Sequence, residues 1–582
     1  MGTDLLFEMQ DELRAFVRAE HEAQRGHLAL LWAKPVEERV EEGRCLAGAW
    51  IKEVRGAKGL VLGVGGNDSR FREGDFVTLS KGDPNMPFCD AVVLEAEDEH
   101  IEVQLWGRGS DSLGLPLGFR GLHLDETSID LERFYLAAIE DLAKTTTGRE
   151  KILPLLDGAL KPKLDLEEFE AAEGQAKKQG FEDEQAKAVA SALATDLCWL
   201  IHGPPGTGKT RVLAWIVSEL LKQGARVLVT SATHRTINNL LEAIAEVSGD
   251  RSRLAKITPF HDRTLSVAQY ERFAETPFGK LGSGYVIGAT PFALRSSRLS
   301  GVDFDTVIID EASQVTLPLA VMAMLAGQRF IFAGDHRQLP PVCRSLAPSE
   351  AGRASIFGRL VGRGMETMLP VTHRLNEPLC QWPSESFYLS RLRPSPSAAG
   401  RRLALAECSG EFQELLAPEP CVVWACVPHS GSRSCSLEEV EVVAGILLAL
   451  RGIGYAWKDV GVVVPFRRQA RALRQRLWRT LKQSPGAAGL VADTVERMQG
   501  QEREIIIVSF ATSDPMFAER LAEFLFQPER LNVAATRPRT KLILVASPDL
   551  IEFAESPRFR ERCDSFVSLF RQAHRVEMEV NP

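Results

Sequence analysis

The chain has 582 residues, 45% of them hydrophobic and 25% charged, with a formal net charge of −9. That is the balance of a globular protein, and the length predicts about three or four domains at ~150 residues each. No apolar run approaches the ~18–20 residues of a membrane span, and the acidic charge argues weakly against a DNA-coating protein while leaving room for a local basic channel.

The N-terminus, "MGTDLLFEMQ", has no basic region before an apolar stretch, and Leu6 stands where a myristoylation signal needs Ser or Thr. A cytosolic (cytoplasmic) protein with no membrane attachment is therefore expected. The ten cysteines fall at no zinc-like or iron–sulfur-like spacing and are expected to be reduced.

Residues 1–44 are expected to form a helical stalk, with helix over 4–44, where apolar residues recur at three- and four-residue steps. Residues 45–125 change texture. Short β-rich pieces separated by Gly, Asp and Asn predict a small antiparallel sheet or barrel. Trp50 and Trp106 lie here and are read as core aromatics in preference to base-stacking platforms. Helical pattern returns in 126–164.

From 165 onward the class is α/β. One set of apolar strands, "LCWLIHG", "RVLVTSA", "YVIGAT", "TVIIDEAS" and "RFIFAGD", precedes another, "CVVWACV", "VGVVVPF", "REIIIVSF" and "KLILVAS". Continuous apolar runs alternating with helices predict parallel sheets covered on both faces, divided into domains 165–370 and 371–582. The stretch 390–402 is expected to be an exposed loop. The arginine-rich helix of 465–482 is read as the solvated face of a sheet-covering helix ahead of a nucleic-acid channel wall.

"GPPGTGKT", residues 203–210, follows one of these strands and opens an amphipathic helix, which is the context of a phosphate-binding loop. Gly203, Pro205, Gly206, Thr207 and Gly208 would cradle phosphate through backbone N–H groups. Lys209 would reach the β and γ phosphates and Thr210 would ligate magnesium. One hundred residues on, the strand of "FDTVIIDEASQ" delivers Asp310, suited to the magnesium shell, and Glu311, suited to orienting or deprotonating water. These motifs predict an ATP- and Mg2+-using NTPase without choosing among motors, kinases and transport ATPases. "FIFAGDHRQLPPV" adds Gly334, Asp335 and Gln338 at another strand tip, where a glutamine can sense a γ-phosphate.

With that box the chain resembles a superfamily 1 helicase, most closely the branch of the nonsense-mediated-decay helicase and its DNA-acting relatives (superfamily 1B). The resemblance covers about 175–547 and implies two tandem RecA-like domains hydrolysing ATP between them. Gln185 matches the family's adenine-reading glutamine. Arg374 in "LPVTHRLNEPL" matches its γ-phosphate arginine, and Gln499, Gly500 and Glu502 in "VADTVERMQGQERE" match a further nucleotide motif. His373 stands where relatives carry an adenine-stacking tyrosine. In "LNVAATRPR", Arg537 matches the finger arginine, while Arg530 and Arg539 are read as structural or solvated. Pro538 disfavours helix at its predecessor, so the helix is expected to end at or before Arg537.

A motor on single strands needs sequence-blind contacts, for which Thr233, His234, Thr290 and Thr494 are candidates just past predicted strands. The resemblance implies 5′-to-3′ movement and leaves DNA or RNA open. The alternative is a nucleic-acid-stimulated ATPase acting as a binding subunit of a repair or defence complex with little unwinding of its own. The N-terminal barrel is a candidate surface for a protein partner.

Overall fold

The structure, a computed structural model, describes residues 3–56, 58–67, 69–97, 99–106, 114–345, 355–404, 410–481, 489–498 and 500–579. By their contacts the residues divide into two units. The first is Met1–His202, Lys209–His336 and Pro340–Met368; the second is Gly203–Gly208, Arg337–Leu339 and Leu369–Pro582.

In the first unit, a helix over Thr3–Trp32 is followed by a short one over Val36–Glu41. The single helix expected over 4–44 is interrupted because Pro35 can begin a helix but cannot continue one. Arg39 of the short helix is buried and donates to Asp125 Oδ1 at 2.7 Å and to the Gly82 carbonyl at 2.6 Å. That ion pair fastens the stalk to a closed antiparallel barrel. Its strands are β1 (Cys45–Arg55), β2 (Gly59–Gly63), β3 (Phe76–Ser80), β4 (Cys89–Ala96), β5 (His100–Trp106) and β6 (Arg120–Glu126), in the order β1-β2-β5-β4-β3-β6. Alternation builds it: Ile101, Val103 and Leu105 of β5 point into the core. Trp50 of β1 pairs with Gly63 of the neighbouring β2, where a Cβ would lie 2.3 Å from the indole, so only glycine fits.

Helices Glu132–Lys144 and Leu153–Asp157 then lead to a parallel sheet of β7 (Cys198–His202), β8 (Arg226–Thr230), β9 (Leu254–Ile257), β10 (Ala268–Tyr270), β11 (Tyr285–Gly288), β12 (Phe304–Ile309), β13 (Gly327–Gly334) and β14 (Glu366–Met368). The order is β10-β9-β11-β8-β12-β13-β7-β14. Leu13 and Phe16 of the first helix and Ile139 of the third share one core with Val307 and Phe330 of this sheet. Five of the eight strands are legible as apolar runs. β9 is not, because it carries the buried Lys256, and β10 and β14 are too short.

In the second unit, β15 (Val371–Thr372) pairs with β16 (Arg393–Pro394). The expectation of an exposed loop over 390–402 is corrected: besides β16, a turn of helix over Pro396–Ala399 follows, and Leu392, Ser395 and Ala398 are buried. The main sheet has β17 (Val422–Cys426), β18 (Val460–Val464), β19 (Val491–Thr494), β20 (Arg503–Ser509), β21 (Pro538–Ala546) and β22 (His574–Glu577), all parallel, in the order β19-β18-β20-β21-β17-β22. The arginine-rich helix Arg467–Leu481 buries Ala470, Leu473 and Leu477 and leaves Arg468 and Arg479 exposed. No helix among the described residues is long and apolar enough to cross a membrane.

Candidate nucleotide site and strand-contact residues

Because β11, β8, β12, β13 and β7 lie side by side and run the same way, their C-terminal ends form one row. Thr290 follows β11, Thr233 and His234 follow β8, Asp310 and Glu311 follow β12, and Asp335 follows β13. β7 ends at His202, directly before the phosphate loop, and Lys209 and Thr210 open helix Lys209–Lys222.

Asp310 is 6% exposed, and its carboxyl is pushed up to about 7. Burial is the main cause and the Glu311 charge adds to it, while the Lys209 ammonium pulls the other way. Glu311 sits in the left-handed region, with φ 51°, which a residue with a Cβ adopts only when its surroundings hold it there. Gln314 supplies part of that hold, donating from Nε2 to Glu311 Oε2 at 3.2 Å. Gln314 went unassigned from sequence, although its position three residues after Glu311 was a usable signal. Gln185 is buried at the third position of helix Asp183–Ala194 and accepts the Glu182 N–H at 3.2 Å, closing a capping box.

In the second unit, the phosphate loop Gly203–Gly208 meets the strand-and-turn around β15. Thr372 Oγ1 donates to the Pro205 carbonyl at 2.8 Å, and the His373 N–H donates to the Gly206 carbonyl at 2.8 Å. Gly206 has φ +74°, and a Cβ there would lie 2.5 Å from Arg374 Cβ, so the site demands glycine twice over. Thr207 Oγ1 closes the loop on the Pro204 carbonyl at 2.8 Å. The His373 side chain is exposed.

Arg374 donates from Nε to Glu502 Oε2 at 2.8 Å and from Nη1 to the Thr536 carbonyl at 3.1 Å. Burial alone would raise the Glu502 carboxyl, but Arg374 and Arg539 together hold it below the usual range. Helix Pro528–Ala535 ends two residues before Arg537, as the proline predicts. Arg537 is 3% exposed and donates from Nε to the Val533 carbonyl (2.9 Å), from Nη1 to the Gln501 carbonyl (3.3 Å) and from Nη2 to Gln338 Oε1 (3.1 Å). The pairing of β20 with β21, which begins at Arg503 opposite Pro538, brings Glu502 and Arg537 to the same N-terminal end of these two strands. Asn532, which sequence reasoning passed over, donates from Nδ2 to the Arg337 carbonyl and to the Tyr388 hydroxyl, each at 2.8 Å. It is fully buried, and its place between Leu531 and Val533 in the sequence was the available signal. Arg530 pairs with Glu496 at 2.6 Å and lies over the Phe524 ring, and Arg539 pairs with Glu502 and Glu504. Gln499 lies outside the described residues.

Among the strand-contact candidates, Thr233 is exposed and caps helix His234–Ser248, its Oγ1 accepting the Thr236 N–H at 3.3 Å. Thr290 precedes helix Pro291–Leu294 with no side-chain cap bond. Thr494 is the last residue of the edge strand β19, at the C-terminal strand ends, whereas Arg537 immediately precedes the start of β21, at the N-terminal strand ends. The His234 ring stands edge-on to Phe260, which packs in turn against Trp106 of the barrel. Burial, with Lys256 and Arg298 adding to it, lowers the imidazole to about 4, so His234 is neutral at pH 7 and offers no charge to a phosphate.

A phosphate loop, an Asp–Glu pair with its aspartate buried and two tandem parallel sheets define an ATP-hydrolysing enzyme of the tandem RecA-like kind. The comparisons narrow the class. One AAA-domain family model matches residues 185–344 and a second AAA-domain model matches 353–549. The chain is 26% identical over 550 residues to the DNA polymerase alpha-associated DNA helicase A of Schizosaccharomyces pombe, covering 82% of this chain and 80% of that one. It is 28% identical over 427 residues to the DNA-binding protein SMUBP-2 of Mesocricetus auratus, covering 62% of this chain and 42% of that one. It is 28% identical over 433 residues to the DNA replication ATP-dependent helicase/nuclease DNA2 of Saccharomyces cerevisiae, covering 67% of this chain and 27% of that one. It thus spans most of the first relative and less than half of the other two. The two matching models and these helicase relatives support a superfamily 1 helicase of the family that the sequence motifs resemble.

That family implies ATP with Mg2+, and the residues fit. The donors at the β12 tip and the helix start are hard oxygens, the Asp310 carboxylate and the Thr210 hydroxyl, which suit Mg2+. A carboxyl raised by burial beside a second carboxylate is a group that a dication would return to its ionised form.

Proposed function

We propose that the chain couples ATP hydrolysis to 5′-to-3′ movement along single-stranded nucleic acid. The observation that carries this reading is the row of strand ends in the first unit. β12, which leads into Asp310 and Glu311, pairs with β8, which leads into Thr233, and β11, which leads into Thr290, is one strand further on. A change at the carboxylates is therefore one strand away from hydroxyls suited to gripping phosphate.

Thr210 and Asp310 would hold Mg2+, which supplies charge neutralisation on the phosphates. Lys209 binds the β and γ phosphates and the phosphate-loop N–H groups orient them. Glu311, aimed by Gln314, takes the proton of the attacking water. Arg374 and Arg537 offer planar guanidinium groups to the charge that develops on the transferring phosphoryl group. Gln338, bonded to Arg537, reads the γ-phosphate. Gln185 and His373 are assigned to the adenine, and Glu502 to holding Arg374. Thr494 is assigned to the strand from the second sheet. Residues 1–44 and 126–164 act as a stalk, 45–125 as an accessory barrel for a protein partner or duplex, and 165–370 and 371–582 as the two motor domains.

The test is steady-state ATPase with single-stranded DNA and RNA of equal length, then unwinding of 5′- and 3′-tailed duplexes. Stimulation by one strand and unwinding of the 5′-tailed substrate are expected. An ATPase indifferent to both nucleic acids refutes the motor. Strong stimulation without strand separation supports a recruitment subunit instead.

A further inference from the structure

At the ends of β7 and β13 stands a cluster that the nucleotide chemistry leaves unused. The two strands pair in parallel with Gly334 opposite His202, which sets the next residues, Asp335 and His336, beside the His202 ring. His202 Nε2 lies 3.2 Å from Asp335 Oδ1, and the two imidazole centroids are 4.7 Å apart. One ligand atom from each of His202, Asp335 and His336 falls within 4.8 Å of the others. His202 is 8% exposed and Asp335 is 0% exposed. Phe357 packs against both rings, at 5.9 and 6.2 Å between centroids, and walls the cluster on an apolar side.

We propose that His202, Asp335 and His336 form a site for one transition-metal dication of the Zn2+ or Co2+ type. Two imidazoles and one carboxylate are the donors such ions prefer, and three protein ligands leave a position for water or another donor. Mg2+ is a poor occupant, since it favours an all-oxygen octahedron. The site is therefore chemically separate from the hard-oxygen pair Thr210 and Asp310. Its position gives it a consequence. His202 is bonded to Gly203 of the phosphate loop, and His336 is two residues before Gln338. An ion joining them would pin two strand ends that the nucleotide chemistry uses. The rival is a plain His–Asp hydrogen bond with a second ring packed beside it.

Co2+ titration of the chelator-stripped full chain, in excess Mg2+, separates the two. The expected result is one Co2+ per chain with the intense visible d–d bands of a four- or five-coordinate site, displaced one-for-one by Zn2+. His336→Ala, which touches no strand interior, should weaken binding by at least about 100-fold, since loss even of an outer partner costs ~10–100-fold. Asp335→Asn should do the same if His202→Ala fails to fold. His21→Ala, in the partly exposed group His21, Asp130 and Glu132, should leave the bands intact. Weak octahedral Co2+ spectra only, bands that persist in both His336→Ala and Asp335→Asn, or bands that vanish with His21→Ala overturn the proposal. Zinc should also slow ATP turnover of the parent and leave that of His336→Ala at its own zinc-free rate.

Discussion

Arg537→Lys separates the structural from the catalytic work of the finger position. In the structure the guanidinium makes three bonds, to Val533, Gln501 and Gln338. A lysine ammonium at the same backbone position keeps the charge and reaches one of those acceptors. Two bonds to a charged donor are lost, at about 1.5–3 kcal/mol each, so the fold loses about 3–6 kcal/mol. Domains hold ~5–15 kcal/mol in all, so the variant should fold with a depressed melting temperature, read by circular dichroism. The catalytic loss is separate. A missing finger arginine costs about 10³-fold or more in kcat, equivalent to ~4 kcal/mol of barrier, and KM for ATP should move little. Single-turnover hydrolysis at 4 °C, where the variant is folded, isolates that term. A kcat within about three-fold of the parent, in a protein shown to be folded, would refute the assignment, because a purely structural arginine predicts instability with intact chemistry.

Glu311→Gln should still bind ATP and lose at least about 100-fold in hydrolysis; a parent-like rate removes Glu311 from the proton-accepting role. Gln314→Ala deletes the 3.2 Å bond to Glu311 and should lower kcat by about 10-fold, the equivalent of a hydrogen bond worth ~1.4 kcal/mol, so a change confined to KM argues against positioning. His234 makes an acid-stability prediction. Its folded value lies near 4 against 6.5 for a free imidazole, so the unfolded chain takes up the proton first. The contribution is whole above pH 6.5 and is lost as pH falls toward 4, by at most about 3 kcal/mol and less for the ring's partial exposure. Urea midpoints of the parent should fall across that window more steeply than those of His234→Phe, and equal slopes would sink the idea.

Much of the site was readable because its parts are local in sequence. A phosphate loop needs glycines at fixed offsets and a lysine opening a helix, so "GPPGTGKT" carries its own geometry, and "DEASQ" carries an acid pair at a strand tip. Helix ends were readable for the same reason: Pro538 stops the helix before Arg537. Where a signal was short or mixed, the reading failed. Lys256 breaks the apolar run of β9, Pro35 divides what reads as one helix, and Leu392 and Ala398 bury a stretch whose prolines and serines resemble a loop.

The sequence by itself determined the chemistry: which side chains can bind phosphate, accept a proton or neutralise charge, and in what order they come along the chain. It did so because propensity, capping and apolar periodicity act over a few residues. Tertiary structure alone decided which of them meet. Arg374 finds Glu502 across 128 positions of chain, and Arg537 finds Gln338 across 199, through strand order and register that no local pattern encodes. Strand order also set the His234 ring edge-on to Phe260 in a setting that lowers its pKa, and set His202 against Asp335. Burial and proximity are properties of the packed sheet, and they decide the charge state in which each residue is available to act.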